Sequence, residues 1–157
     1  MKAVEKIKEA LGDSWLPEIY RNKVRTIRTR AYKMSIPEKE NETEILHTLL
    51  GIELKVGRRR ISCPDLSTAR YLQIFARIGV TEVAIPYDIT KISHIADELE
   101  SSWQKTLLLI ENFADSSSKR SRSKLRNTIA SLLREEIRQI GAGPLIPEFR
   151  QDTRQRS

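Results

Sequence analysis

Apolar residues recur along this chain in two rhythms, and each change of rhythm marks a new element. In residues 2–11, Val4, Ile7 and Leu11 fall at helical spacing among Lys and Glu, which predicts a short amphipathic helix. Gly12, Asp13 and Ser14 end it, and Pro17 suits the first turn of a second helix over residues 17–33. Its buried stripe is expected to be Tyr20, Val24, Ile27 and Ala31, at i, i+4, i+7 and i+11. A polar loop follows. A third helix is then predicted from Asn41 or Thr43, carrying Ile45, Leu46, Leu49 and Leu50 and stopped by Gly51.

The rhythm next shortens to two. Ile52, Leu54 and Val56 alternate with Glu53 and Lys55, the mark of a half-buried strand. Gly57-Arg58 reads as a tight turn, and residues 59–63 return as the second strand of a hairpin. Pro64 closes it. Asp65 or Ser67 caps a helix with Leu66, Ala69, Leu72, Phe75 and Ala76 inward, and Gly79 stops that helix. Residues 81–85 form a short apolar strand. If it lies beside residues 59–63, the helical crossover makes the pair parallel and right-handed, a β-α-β unit.

Asp88 caps a long helix in which Ile92, Ala96, Leu99, Trp103, Thr106, Ile110 and Phe113 form a heptad-like seam. A basic, serine-rich connection breaks it. A last helix over residues 123–140 carries Leu125, Ile129, Leu132, Leu133, Ile137 and Ile140, so the pair reads as an antiparallel helical hairpin. The fold class expected is therefore α+β and helix-rich, with N-terminal helices, a small sheet of about three strands and the C-terminal hairpin. One compact domain is expected over 1–144: helical 1–51, hairpin and β-α-β unit 52–88, helical hairpin 89–141. Residues 145–157 read as a polar tail.

Composition changes this picture in one respect. The chain has 157 residues, 39% of them hydrophobic, enough for one modest core. Its formal net charge is +7 and its pI about 9.7, with Arg outnumbering Lys. Such a balance favours an anionic partner. No apolar run approaches ~20 residues and the N-terminus has no apolar signal-like core, so no membrane partner is expected and a cytoplasmic location is the default. A single cysteine, Cys63, allows no internal disulfide and no cysteine-based zinc site.

Three basic clusters stand out. Arg21, Lys23, Arg25 and Arg28 lie on the predicted second helix, where Arg21, Arg25, Arg28 and Tyr32 make one strip flanked by Arg30 and Lys33. Arg58, Arg59 and Arg60 sit at the hairpin tip. Lys119, Arg120, Arg122, Lys124 and Arg126 open the last helix. Long cationic donors of this kind neutralise phosphates and release counterions, and Arg adds bidentate geometry. The function expected is non-enzymatic nucleic-acid binding, with DNA or RNA as partner and no cofactor or metal. No RNP-type aromatic run, KH-type GxxG or Cys/His finger accompanies the charge. Three helices followed by a hairpin resemble a winged helix in order only, and Glu42, Glu44 and His47 give its third helix no basic face.

The alternative is an assembly or regulatory protein working through helices 89–141. Leu99, Trp103 and Ile110 would form a homodimer or partner surface, with Trp103 as anchor. A metal-dependent nuclease is a distant third. Glu53-x-Lys55 places a carboxylate and an ammonium on one side of a strand, the pair used by nucleases of the PD-(D/E)xK type. The upstream Asp of that pattern is missing, and Glu42 or Glu44 would have to stand in. Remaining candidates have sufficient structural roles. Asp65 and Asp88 are N-caps, Cys63 is a small buried hydrophobe, and Glu44/His47 and His94/Glu98 are surface pairs.

Overall fold

The computed structural model describes residues 2–114 and 119–143. The expected polar tail at 145–157 and part of the serine-rich connection lie outside the described residues. Helix α1 (Lys2–Leu11) forms as its spacing predicts and buries Val4, Ile7 and Leu11. A 3-10 turn (Gly12–Ser14) leads into α2 (Leu16–Ile19), which continues as one π turn, Tyr20–Val24. The remaining elements are β1 (Thr29–Lys33), β2 (Thr43–Thr48), β3 (Gly51–Val56), β4 (Arg59–Cys63), α3 (Leu66–Ile78), β5 (Glu82–Pro86), α4 (Ile89–Phe113) and α5 (Lys119–Ile140). The α+β class and the dominance of helix hold.

Two predicted helices are wrong in whole or in part. The helix over 17–33 stops at Val24 and its second half is strand β1. Thr26, Ile27, Thr29 and Tyr32 are β-branched or aromatic, and such side chains lose rotamer freedom against a preceding helical turn. Pairing with β5 then decides the matter. The third helix is also absent: its residues form β2 and the turn into β3. Leu49 and Leu50, expected on that helix, are fully exposed at the turn, at 105% and 96%. The winged-helix order falls with this helix.

The β-α-β unit is a further correction. β5 pairs antiparallel with β1, not parallel with β4, and β2-β3-β4 form a separate antiparallel meander. Two tyrosines explain why β5 takes no further strand. Ala84 donates its N–H to Tyr20 Oη (3.0 Å), and its carbonyl accepts from Tyr71 Oη (2.5 Å). Tyr20 Oη passes its own proton to Gly141 O at 2.8 Å. The hydroxyls thus satisfy the backbone groups a neighbouring strand would have taken. Burial pushes both hydroxyls above the ordinary tyrosine range, Tyr71 furthest.

Helix α3 lies at the centre of the core. Asp65 Oδ1 accepts from Thr68 N (2.7 Å) at its start, and Gly79 closes it at φ +95°. Residues 37–42 cross over its end, where Asn41 bonds the carbonyls of Ala76 and Arg77. Inside, the Phe75 ring meets Tyr20 edge-to-face and Tyr71 at a tilt. Asp88 caps α4, accepting from Thr90 N–H (3.0 Å) and from its hydroxyl. α4 packs most extensively on α3 rather than on α5. α5 starts beside the end of α4, where Arg122 approaches Glu111 (3.6 Å), and ends where Gly141 meets Tyr20. Glu136, near the C-terminal end of α5, pins it to Lys8 (2.8 Å) and to Trp15 Nε1 (2.7 Å). Among the described residues no helix is long and apolar enough to cross a membrane.

Candidate functional site

The basic residues fare differently once the chain is folded. With β1 a strand, Arg21, Arg25 and Arg28 do not share a helical strip. Arg21 approaches Glu18 and Lys23 approaches Glu98, each at 3.8 Å. Arg25 turns inward, donating to Thr29 Oγ1 (3.3 Å) and packing its guanidinium against Gly143. Arg28 is exposed, its guanidinium 4.9 Å from the centre of the Tyr87 ring.

Period-2 alternation along β1 puts Arg28, Arg30 and Tyr32 on one face. Tyr87 joins them, because its N–H donates to Arg28 O (3.1 Å) and extends the β1–β5 ladder by one pair. The Arg hairpin comes to the other end of this strand. Arg59 Nη1 donates to Ser35 Oγ (3.4 Å), two residues beyond β1. The tip thus meets the end of β1 about 23 Å from residue 28, on the side of Lys33 and Ser35, which alternation sets opposite to Arg28, Arg30 and Tyr32. Arg28, Arg30, Lys33 and Arg58 have no carboxylate partner among the described residues. Arg60 does have one, Glu53 Oε1 at 3.2 Å.

The third cluster stays apart. Arg25 lies at Gly143, just past the end of α5, whereas Arg122 is in its first turns, about 30 Å away along the helix. Between this cluster and the hairpin tip runs an acidic segment. Glu40 takes Arg126 (2.8 Å), Glu38 takes Arg138 (3.2 Å), and Glu42 O accepts from Gly57 N at the turn. Lys119, Arg120 and Lys124, in the first two turns of α5, keep no carboxylate partner among the described residues.

The proposed interface residues lie in the core. Leu99 is fully buried, Trp103 and Ile110 nearly so. They pack within this chain, and Arg126 lies 5.7 Å over the Trp103 ring. The large apolar side chains exposed on α4 are Ile89, Leu108 and Phe113. The Leu49–Leu50 tip is the most exposed apolar feature. Thr48 Oγ1 fixes its turn, accepting from Leu50 N and donating to Gly51 O. It sits at the opposite end of β3 from Arg58, so no basic cluster flanks it.

On the meander, register places Glu44 directly opposite Lys55, with Glu53 and Arg60 on the same solvent-facing side. Glu44 and His47, three apart on a strand, face opposite sides and make no ligand pair. His94 Nε2 approaches Glu98 Oε1 (3.8 Å) on α4. Among the described residues no group of three or more His, Cys, Asp or Glu is arranged to hold a metal ion. Cys63 is buried, with Sγ 3.7 Å from Ile61 O, and burial pushes its thiol up. Asp65 and Asp88 serve as N-caps and share no sheet edge.

Tyr87 was not singled out from the sequence, and Arg30 only as a flank of the predicted helical strip. The signal, the alternation Arg28-x-Arg30-x-Tyr32, was present but readable equally as part of a helical stripe. No family model matches this chain, and no curated protein and no solved structure matches it either. Its function is to be read from its own geometry.

Proposed function

We propose that this protein binds nucleic acid without catalysis, gripping the phosphate backbone with Arg28, Arg30 and Lys33 along β1 and with Arg58 and Arg59 at the hairpin tip beside its end. The observation that carries this is the Arg59–Ser35 contact. It joins the hairpin tip to the strand bearing Arg28 and Arg30, while Arg28, Arg30, Lys33 and Arg58 have no carboxylate partner among the described residues. Unpaired arginines held on a rigid ribbon lose little freedom on meeting phosphate.

Fluorescence anisotropy with labelled oligonucleotides across a salt series tests it. Four phosphate contacts give a log–log slope near −3, so affinity falls roughly 50-fold between 50 and 200 mM salt. Arg30→Ala with Arg58→Ala weakens binding about tenfold or more and flattens the slope. Lys119→Ala with Arg120→Ala changes it less. Wild-type affinity in the first double variant refutes the assignment.

A second reading draws on the meander. Glu44, Glu53 and Lys55 share one face of adjacent strands, the residue types that metal-dependent phosphodiester cleavage uses. Glu53 is engaged by Arg60, which counts against a vacant metal ligand. Divalent-metal-dependent cutting abolished by Glu53→Ala would favour this reading over the first.

A further inference from the structure

We propose, resting on the reading above, that the nucleic acid is a single strand with a base stacked on Tyr87 beside Arg28. This pair opens the face of the β1–β5 ribbon that carries Arg30; farther along, Tyr32 lies opposite the buried Val83 and packs on the core. Tyr87 is 41% exposed, an open ring on a rigid strand end, and Tyr32 is half-buried. Arg28 already lies against the Tyr87 ring at 4.9 Å. A base stacked on this pair gains both the aromatic face and the adjacent cation.

The same face disfavours a duplex. Duplex bases present only their edges, which are read by a helix or ribbon entering a groove. The segment best placed in the sequence to be such a helix is strand β2. The Tyr87 ring lies at the end of a ribbon whose neighbouring Ile85 and Val83 are buried, not on an element free to enter a groove. It meets a base only where the base is free of its partner, as in single-strand platforms that combine aromatic rings with a cationic track. The run from residue 28 to residue 35, about 23 Å, is long enough for a few nucleotides.

The test compares a labelled single strand of about 15 nucleotides with its duplex, at one salt concentration. The single strand is expected to bind at least about tenfold tighter. Tyr87→Ala lowers single-strand affinity by roughly 5- to 100-fold while leaving the salt slope and thermal midpoint unchanged; Tyr87→Phe keeps wild-type affinity. Duplex affinity is insensitive to both. A duplex bound as tightly as the single strand, or Tyr87→Ala binding the single strand as wild type does, overturns the inference. If binding still depends on Arg30 and Arg58 in that case, the phosphate-binding reading survives alone. If neither oligonucleotide binds, both readings fall.

Discussion

Removing one hydroxyl, by Tyr71→Phe, tests how β5 is closed. Tyr71 is fully buried, and its hydroxyl donates to Ala84 O, itself buried, at 2.5 Å. The substitution deletes one oxygen, keeps the ring contact with Phe75, and strands a carbonyl that water cannot reach. An unsatisfied buried acceptor costs about 1–3 kcal/mol. Tyr20→Phe strands two groups, Ala84 N–H and Gly141 O, so the larger loss is expected there, about 2–4 kcal/mol. Urea unfolding followed by circular dichroism measures both, with m unchanged.

A pH series supplies an independent check. In the unfolded chain tyrosine ionises near pH 10, roughly. Burial raises Tyr71 well above that in the fold. The tyrosine contribution is therefore fully present below about pH 10 and is lost as pH rises from there towards the folded-state pKa, at up to about 1.4 kcal/mol per pH unit. Tyr71→Phe removes this share, so its stability falls less steeply than wild type in that window. A loss under about 0.5 kcal/mol together with an unchanged alkaline slope would refute the claim that these hydroxyls stand in for a strand.

Three further outcomes follow from named contacts. A Cβ at Gly79 lies 2.5 Å from Lys39 N, and φ is +95°, so Gly79→Ala costs more than about 2 kcal/mol by urea unfolding. Leu49→Ser with Leu50→Ser leaves stability within about 0.5 kcal/mol, since neither side chain is buried, and lowers any self-association seen in sedimentation; a large destabilisation would contradict the exposed turn. Cys63 is buried with a raised thiol, so Ellman's reagent reacts slowly at neutral pH and rapidly only in denaturant. Fast native reaction would show that the β4 end opens.

The elements legible from the sequence were those whose signals are local. Asp65, Asp88 and Gly79 act through backbone groups within a turn of themselves, so helices α3 and α4 begin and α3 ends where the residues say. Alternation in Ile52, Leu54 and Val56 fixed the β3–β4 hairpin in the same way. The heptad seam of α4 is buried from Ile92 to Ile110, with Phe113 exposed at its end, so Trp103 packs inside this chain.

What the sequence left open were segments whose spacing fits both periods. Tyr20, Val24, Ile27 and Ala31 make a plausible helical stripe, yet residues 28–33 alternate equally well as a strand. Only β5, more than fifty residues on, offers the hydrogen bonds that choose between them. Residues 43–50 were likewise settled by β3. Strand pairing is a non-local interaction, and a single chain read in order carries no term for it. The candidate surface is decided at the same level. Sequence supplied three basic clusters and the charge. Tertiary structure turned Arg25 inward, neutralised Arg126 and Arg138 on an acidic crossing, and brought Arg59 to the end of the strand that bears Arg28 and Arg30.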